Sequence, residues 1–445
     1  MSALRFAAPA YAELTSALLA DAPLESCGVA FAKADPDAGT WLVRDAQSVP
    51  EEAYEVRTET SATLRPAYLI EVANRARPTG DSVVLIHTHP FTRGTPSFSP
   101  IDDAGEVELA EYFGRRASTG FHLAMVVGPN GCRARRLGTR GDIPVWEVGA
   151  TLACRSGAVT AIELSEIHDR QVRAFGRAGQ QILAGLRVGI VGAGGTGSVI
   201  AQELAHLGVL DFLVIDPDRV ERTNLNRLVG AHPEDVGNEK VSVARSAILS
   251  ISPAAQVTGV VRDVVDADVA ALLRGLDFIF LCTDSHASRA VVGQFAYQFL
   301  VPTIDMGVSV TVKEGEVTHI SGRVQMLAPG LPCLACTSAL DGEQIRREML
   351  TPELRASDPY IIGVHEPQPA VISINATMAS LAITMFMGAV TGMPAHARFQ
   401  LYDGIRGTVR PTTARIVSNC IVCSSEGALA RGPSWPLPVR PAAFA

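Results

Sequence analysis

Over its first 140 residues the chain alternates short apolar runs with stretches of helical period. The runs GVAFAK and WLVRDA read as strands, ATLRPAYLIEVANRA (62–76) as a helix and SVVLIHTHP as a strand. A second helix, SPIDDAGEVELAEYF, opens on Ser99 as a natural N-cap with acids in its first turn, and HLAMVVGPNG reads as a strand entering a turn. This is an α+β or three-layer pattern of modest size. Periodicity fades between Gly138 and Gly157, and resumes with an amphipathic helix near Ile167 to Phe175. From there the rhythm is strand (LRVGIV), glycine turn, helix, strand (DFLVIDPD), helix (KVSVARSAILSI), strand (DFIFLCTD), which predicts a doubly wound parallel sheet of α/β class. The expected organisation is therefore residues 1–145, a linker 146–165, a larger domain 166–430 and a flexible Pro-rich tail 431–445.

Composition narrows the partners. A formal net charge of -8 leaves no global basic field to hold a polyphosphate backbone, which argues against nucleic acid. The start, MSALRFAAPAYAEL, has no charged region followed by a sustained apolar core, so the expected location is cytoplasmic. The uncharged stretch from Ala370 to Gly388 approaches the length of a membrane span. Its Ser, Thr and Asn residues and the lack of a flanking basic cluster predict a buried or interface helix instead.

Three groups of residues carry chemistry. The first is Gly192-Ala193-Gly194-Gly195-Thr196-Gly197, which follows a strand and opens a helix, so backbone N–H groups can face a phosphate or ribose. With Asp216 at the end of the next strand, this much fits a dinucleotide-binding dehydrogenase equally well. The continuation IDPDRVERTNLNRL, with Asp218, Asn224 and Arg227, and then Lys240, favours nucleotidyl transfer. Cations are needed there on the α-phosphate and the departing pyrophosphate, and Asp284 after FIFLC can offer a carboxylate to Mg²⁺.

The second group is Cys333-x-x-Cys336 with Cys420-x-x-Cys423, four thiolates suited to a closed, structural zinc site. The third is His87-Thr88-His89 at a strand end, where period two puts both imidazoles on one face. Asp102 would add a third ligand and leave a fourth position open, as a hydrolytic zinc requires.

From Asp169 to Ser424 the chain resembles the ThiF/ubiquitin-activating superfamily, through RQVRAFGRAGQ, GAGGTG, DPDRVERTNLNR, Lys240, LCTD and the paired CxxC. The resemblance implies a Rossmann-like adenylation domain that uses ATP and Mg²⁺. Gly192, Gly194, Gly195 and Gly197 would line the nucleotide pocket, with Asp216 on the ribose, Asn224, Arg227 and Lys240 on the phosphates and Asp284 on magnesium. It also implies that Arg170 reaches into a neighbouring subunit of a homodimer. The first domain resembles the JAMM/MPN metalloisopeptidases, of cytidine-deaminase-like α/β fold, through Glu25 in ESCG, HTHP at 87–90 and SPID at 99–102. That resemblance implies His87, His89 and Asp102 on Zn²⁺, Glu25 as general base and Ser99 as donor to an oxyanion. The spacing departs from the usual one, with two extra residues between His89 and Ser99 in the loop TRGTPSF.

Together these features imply ATP-dependent adenylation of the C-terminal carboxylate of a ubiquitin-like protein, with zinc-dependent cleavage at the same terminus, in a bacterial conjugation or processing pathway. The alternatives are sulfur-carrier activation for cofactor or amino-acid biosynthesis, or a scaffold that only binds. A separate conjugating enzyme or sulfurtransferase would be the further partner. Thr337 to Pro369 holds no cysteine where conjugating relatives carry a nucleophile, and Cys282 reads as a small buried residue. Activation is thus expected to stop at the adenylate.

Overall fold

The computed structural model describes residues 3–117, 120–157, 165–350 and 369–440. The chain divides into two compact units, 1–158 with 298–300 and 424–436, and 159–297 with 301–423 and 437–445.

The first unit is a nine-stranded mixed sheet in the order Leu152–Cys154, Val145–Val148, Ala3–Ala7, Thr40–Ser48, Cys27–Asp35, Ser82–Thr88, Leu123–Gly128, Gly131–Arg136, Asp142–Ile143. Helix Ala8–Leu19 covers one face through Tyr11, Leu14 and Leu18. Helices Pro66–Thr79 and Pro100–Arg116 cover the other through Val72, Ala76 and Phe113, giving three layers. The stretch expected as one helix from 62 begins as the strand Ala62–Leu64. Pro66 starts the helix because its missing N–H and fixed φ suit the first helical turn. The expected linker from 146 is likewise strand as far as Cys154, since Val145 and Val148 are buried in the sheet.

The second unit is an eight-stranded sheet, ordered Gln256–Val260, Asp211–Ile215, Arg187–Val191, Phe278–Leu281, Thr303–Lys313, Glu316–Leu327, Phe399–Asp403, Thr408–Pro411. Its first five strands are parallel; the expected all-parallel sheet ends there, and the last three strands run antiparallel. The change of direction is made by a two-residue turn, Glu314-Gly315, with φ of 52° and 82°. Such positive values match the right-handed twist of a hairpin. Helix Asp169–Gly185 runs further than expected and is interrupted at Gly176.

Helix Ile372–Val390 is the one described helix long and apolar enough to cross a membrane, and more than half of it is buried within this unit. Phe386 packs edge-on to Phe278 at 4.7 Å, and Ser380 Oγ donates to Glu203 on the helix Gly195–His206. The stretch from 431 expected to be flexible is held as far as Arg440, whose guanidinium donates to Asp266 and to the Met349 carbonyl.

Candidate functional site

In the first unit, strand pairing explains how Glu25 meets residues far along the chain. Cys27 lies opposite His87 in an antiparallel pair, and extending that register by two residues sets Glu25 opposite His89. The extension is bonded: Thr88 N donates to Ser26 O, and Ser26 N donates to Thr88 Oγ1. Arg57 holds the same segment from its other side, donating to Glu25 O and Ser26 Oγ. Glu25 Oε1 then stands 3.9 Å from His89 Nε2.

Ser99 caps helix Pro100–Arg116 in a capping box, its Oγ accepting from Asp102 N and its own N–H donating to Asp102 Oδ2. This turns the other carboxylate oxygen toward the strand end, where Oδ1 lies 3.4 Å from His87 Nε2. Ligand atoms of His87, His89 and Asp102 all fall within 4.8 Å of one another. The enlarged loop does not displace Asp102. Its Phe98 packs on His87, and Arg135 stacks over Phe98 at 3.8 Å while its fork grips Glu106.

The donor set suits a divalent cation. His87 Nε2 is buried without a hydrogen bond of acceptable geometry, a cost that a metal bond removes. Burial raises Asp102, but His87 and the Ser99 N–H outweigh it and hold the carboxyl well below the usual range, as a ligand needs. Burial, with His87 beside it, lowers His89 toward the neutral form. Burial raises Glu25, with His87 opposing. Glu25 and His89 open onto a cleft of about 300 Å³ that is also lined by Glu59, Thr60, Pro90, Phe91 and Thr92.

In the second unit the strand order reverses between Arg187–Val191 and Phe278–Leu281, so the crevice beyond their C-terminal ends is the place for a ligand. The glycine turn and Asp284 flank it. The four glycines divide by cause. Gly192 has φ 93° and a Cβ there would come within 3.0 Å of the Cys282 carbonyl, and a Cβ on Gly197 would collide with Gly192 O, so chain geometry alone demands both. A Cβ on Gly195 would collide with Asn375 Nδ2, whereas one on Gly194 would meet open space.

Both oxygens of Asp216 accept backbone N–H groups, Oδ2 from Ala193 of the turn and Oδ1 from Asp218. Burial pushes its carboxyl up, with Lys240 acting against that. Asp218 pairs with Lys240 at 2.7 Å. Asn224 Oδ1 accepts from Glu221 N, and Arg227 donates to the Thr223 carbonyl, its stem lying against Gly195. Asp284 and Arg170 are exposed, without a hydrogen bond or ion pair among the described residues. Cys282 is no ready nucleophile, since burial pushes its thiol up.

The four cysteines converge. Cys333 and Cys420 sulfurs lie 3.5 Å apart, as do those of Cys336 and Cys423. A tetrahedral zinc with bonds of ~2.3 Å sets its sulfurs about 3.8 Å apart, so the cluster has the size of that site. Hydrogen bonding from Cys423 holds Cys333 well below the usual thiol range, and the same contact raises Cys423. Backbone N–H groups of Cys336 and Val417 also point at the sulfurs.

Sequence reasoning did not find Asn375, Arg57 or Arg135. For Asn375 the one available signal was an amide within an uncharged apolar helix.

Residues 168–421 match the ThiF family, and residues 7–138 match the prokaryotic homologs of the JAB domain. The chain is 32% identical over 258 residues to the molybdopterin-synthase adenylyltransferase of Escherichia coli (strain K12), covering 58% of this chain and 95% of that protein. It is 26% identical over 254 residues to the SAMP-activating enzyme E1 of Haloferax volcanii, covering 57% and 85%. With ubiquitin-like modifier-activating enzyme 5 of Dictyostelium discoideum it shares 29% identity over 198 residues, 40% of this chain and 49% of that one. The chain therefore belongs to the ThiF family, with a JAB-type unit fused ahead of the ThiF region.

Proposed function

We propose that the protein uses ATP to adenylate the C-terminal carboxylate of a ubiquitin-like protein, and that its JAB-type unit cleaves the peptide or isopeptide bond at that same terminus. In the transfer step a carboxylate oxygen attacks the α-phosphorus and pyrophosphate leaves, so negative charge builds on the phosphates and must be met by cations. The observation that carries the reading is the crevice at the reversal of strand order, which gathers Arg227, the Lys240–Asp218 pair, the open space at Gly194 and the unpaired Asp284.

In this reading the glycine turn and Asp216 hold the adenosine, Asn224, Arg227 and Lys240 hold the phosphates, and Asp284 holds Mg²⁺. The exposed Arg170 completes the site of a second copy in a homodimer. In the first unit His87, His89 and Asp102 hold Zn²⁺, which supplies Lewis acidity toward the scissile carbonyl. Glu25, whose carboxyl pKa is raised by burial, takes the proton of the attacking water. Ser99 fixes Asp102 and offers its hydroxyl to the carbonyl oxygen. The cysteine cluster holds a second, structural zinc. The protein acts in the cytoplasm and hands the adenylate to a separate conjugating enzyme.

The names of the relatives favour a second reading of the same chemistry, in which the activated protein is a sulfur carrier and the next partner a sulfurtransferase. The test common to both is carrier-dependent exchange of labelled pyrophosphate into ATP, using carriers that end in Gly-Gly. Lys240→Ala should slow the exchange by about 10²–10³-fold. No exchange in the wild-type protein with either class of carrier would sink the adenylation reading.

A further inference from the structure

Helix Ile372–Val390 is apolar where it faces the interior of its unit: Met378, Ala379, Ala382, Ile383 and Phe386 are buried along it. One member of the buried face differs in kind. Asn375 is only 5% exposed, and its carboxamide makes no hydrogen bond with any described residue, while its backbone N–H donates to Val371 O. A primary amide almost wholly withdrawn from water without a protein partner is unfavourable, and an apolar residue would serve packing better. The group is suited to a partner that arrives from outside the chain.

Its surroundings say which. Nδ2 lies over Gly195, so close that no side chain fits there, and Cγ and Cδ of Arg227 come within 3.3 Å of the same point. Gly195 is the first residue of a twelve-residue helix whose N-cap, Gly194, has no side chain to bond the leading N–H groups and faces open space. A helix start with its N–H groups uncapped attracts an anion, and the carboxamide adds donors beside it.

We infer that Asn375 is a nucleotide-binding residue whose carboxamide donates to an α-phosphate oxygen of the nucleotide held at the glycine turn. The inference rests on the adenylation reading and adds to it a contact from the far end of the chain. Asn375 and Gly195 then form one device: the missing Cβ of the glycine is what lets the amide approach.

The test compares binding of ATP, AMP and adenosine to the full-length protein by titration calorimetry, in wild type, Asn375→Ala and Asn375→Asp. Binding of ATP by the wild type is required first; its absence would remove the adenylation reading itself. Given that binding, Asn375→Ala should weaken ATP and AMP about 10-fold, the scale of a hydrogen bond to a charged group, and leave adenosine within about twofold. Asn375→Asp keeps the shape but sets a carboxylate against the phosphate, and should weaken ATP and AMP by about 100-fold, again sparing adenosine. Melting curves of both variants check that the helix still packs. Unchanged ATP and AMP affinity in folded variants would overturn the inference, as would an equal loss for adenosine, which would mean a change of pocket shape rather than a lost phosphate contact.

Discussion

The protein gathers metal-binding side chains in two places, and the two differ in what is left over. The cysteine cluster supplies four sulfurs, three of them on buried residues, with backbone N–H groups pointing at the sulfurs. The histidine site supplies three ligands, each half-buried, at the edge of a cleft of about 300 Å³ that also holds a carboxylate of raised pKa. Four protein ligands close a tetrahedral ion to chemistry, whereas three leave it a free position. With a metal bound, the first site would tie together segments distant in sequence, and the second would leave a position of the ion open to a substrate.

The most severe test of that contrast is to remove each set of ligands in turn. Cys333→Ser with Cys420→Ser should lose one metal per chain and, with ~10–16 kcal/mol of metal-linked folding free energy at stake, lower the melting of the second unit by more than about 20 °C. His87→Ala with His89→Ala should also lose one metal, yet shift melting by no more than a few degrees. Metal analysis and calorimetry read both, and equal thermal losses would break the comparison.

A smaller effect is expected behind the histidine site. Arg135→Met leaves Glu106 and Asp103 without their buried cation, which costs about 3–5 kcal/mol and should lower the first unit's melting by roughly 10 °C. Should melting stay put, the network would be ornamental and His87 would owe its position to the strand alone. The smallest change is Ser99→Ala. The lost cap costs about 1 kcal/mol, readable as a shift of ~2–4 °C, while metal content stays at the wild-type level because the backbone N–H that holds Asp102 remains. Loss of metal would make Ser99 a ligand-site residue rather than a cap.

Local signals were legible in proportion to how local their causes are. Ser99 as N-cap, the helix from Lys240 and the two CxxC pairs follow from neighbouring residues, and they stand out in the sequence. The hairpin Thr303–Lys313 to Glu316–Leu327 was missed although its residues alternate. Its turn places Glu314, not Asn or Asp, at positive φ, so the usual mark of such a turn is absent. The four glycines looked alike in the sequence, and only packing separates those the chain requires from the one that faces open space. Asn375 was passed over for a related reason: an amide in an apolar helix is its one local mark, and its significance depends on Gly195, far away in the sequence.

The pairing of Cys27 with His87 has a consequence for how freely this protein can vary. Because the two strands run in opposite directions, what brings a carboxylate to an imidazole is a count of residues on either side of one paired position, and the length of chain between them does not enter it. Between Asp35 and Ser82 the chain length does not enter that count, and what the site draws from this stretch is the grip of Arg57 on the Glu25 segment and the cleft wall at Glu59 and Thr60. A single inserted residue between Glu25 and Cys27 would carry the carboxylate to the opposite side of the sheet. The site is thus guarded by parity: tolerant of large changes far from it and intolerant of the smallest one within it.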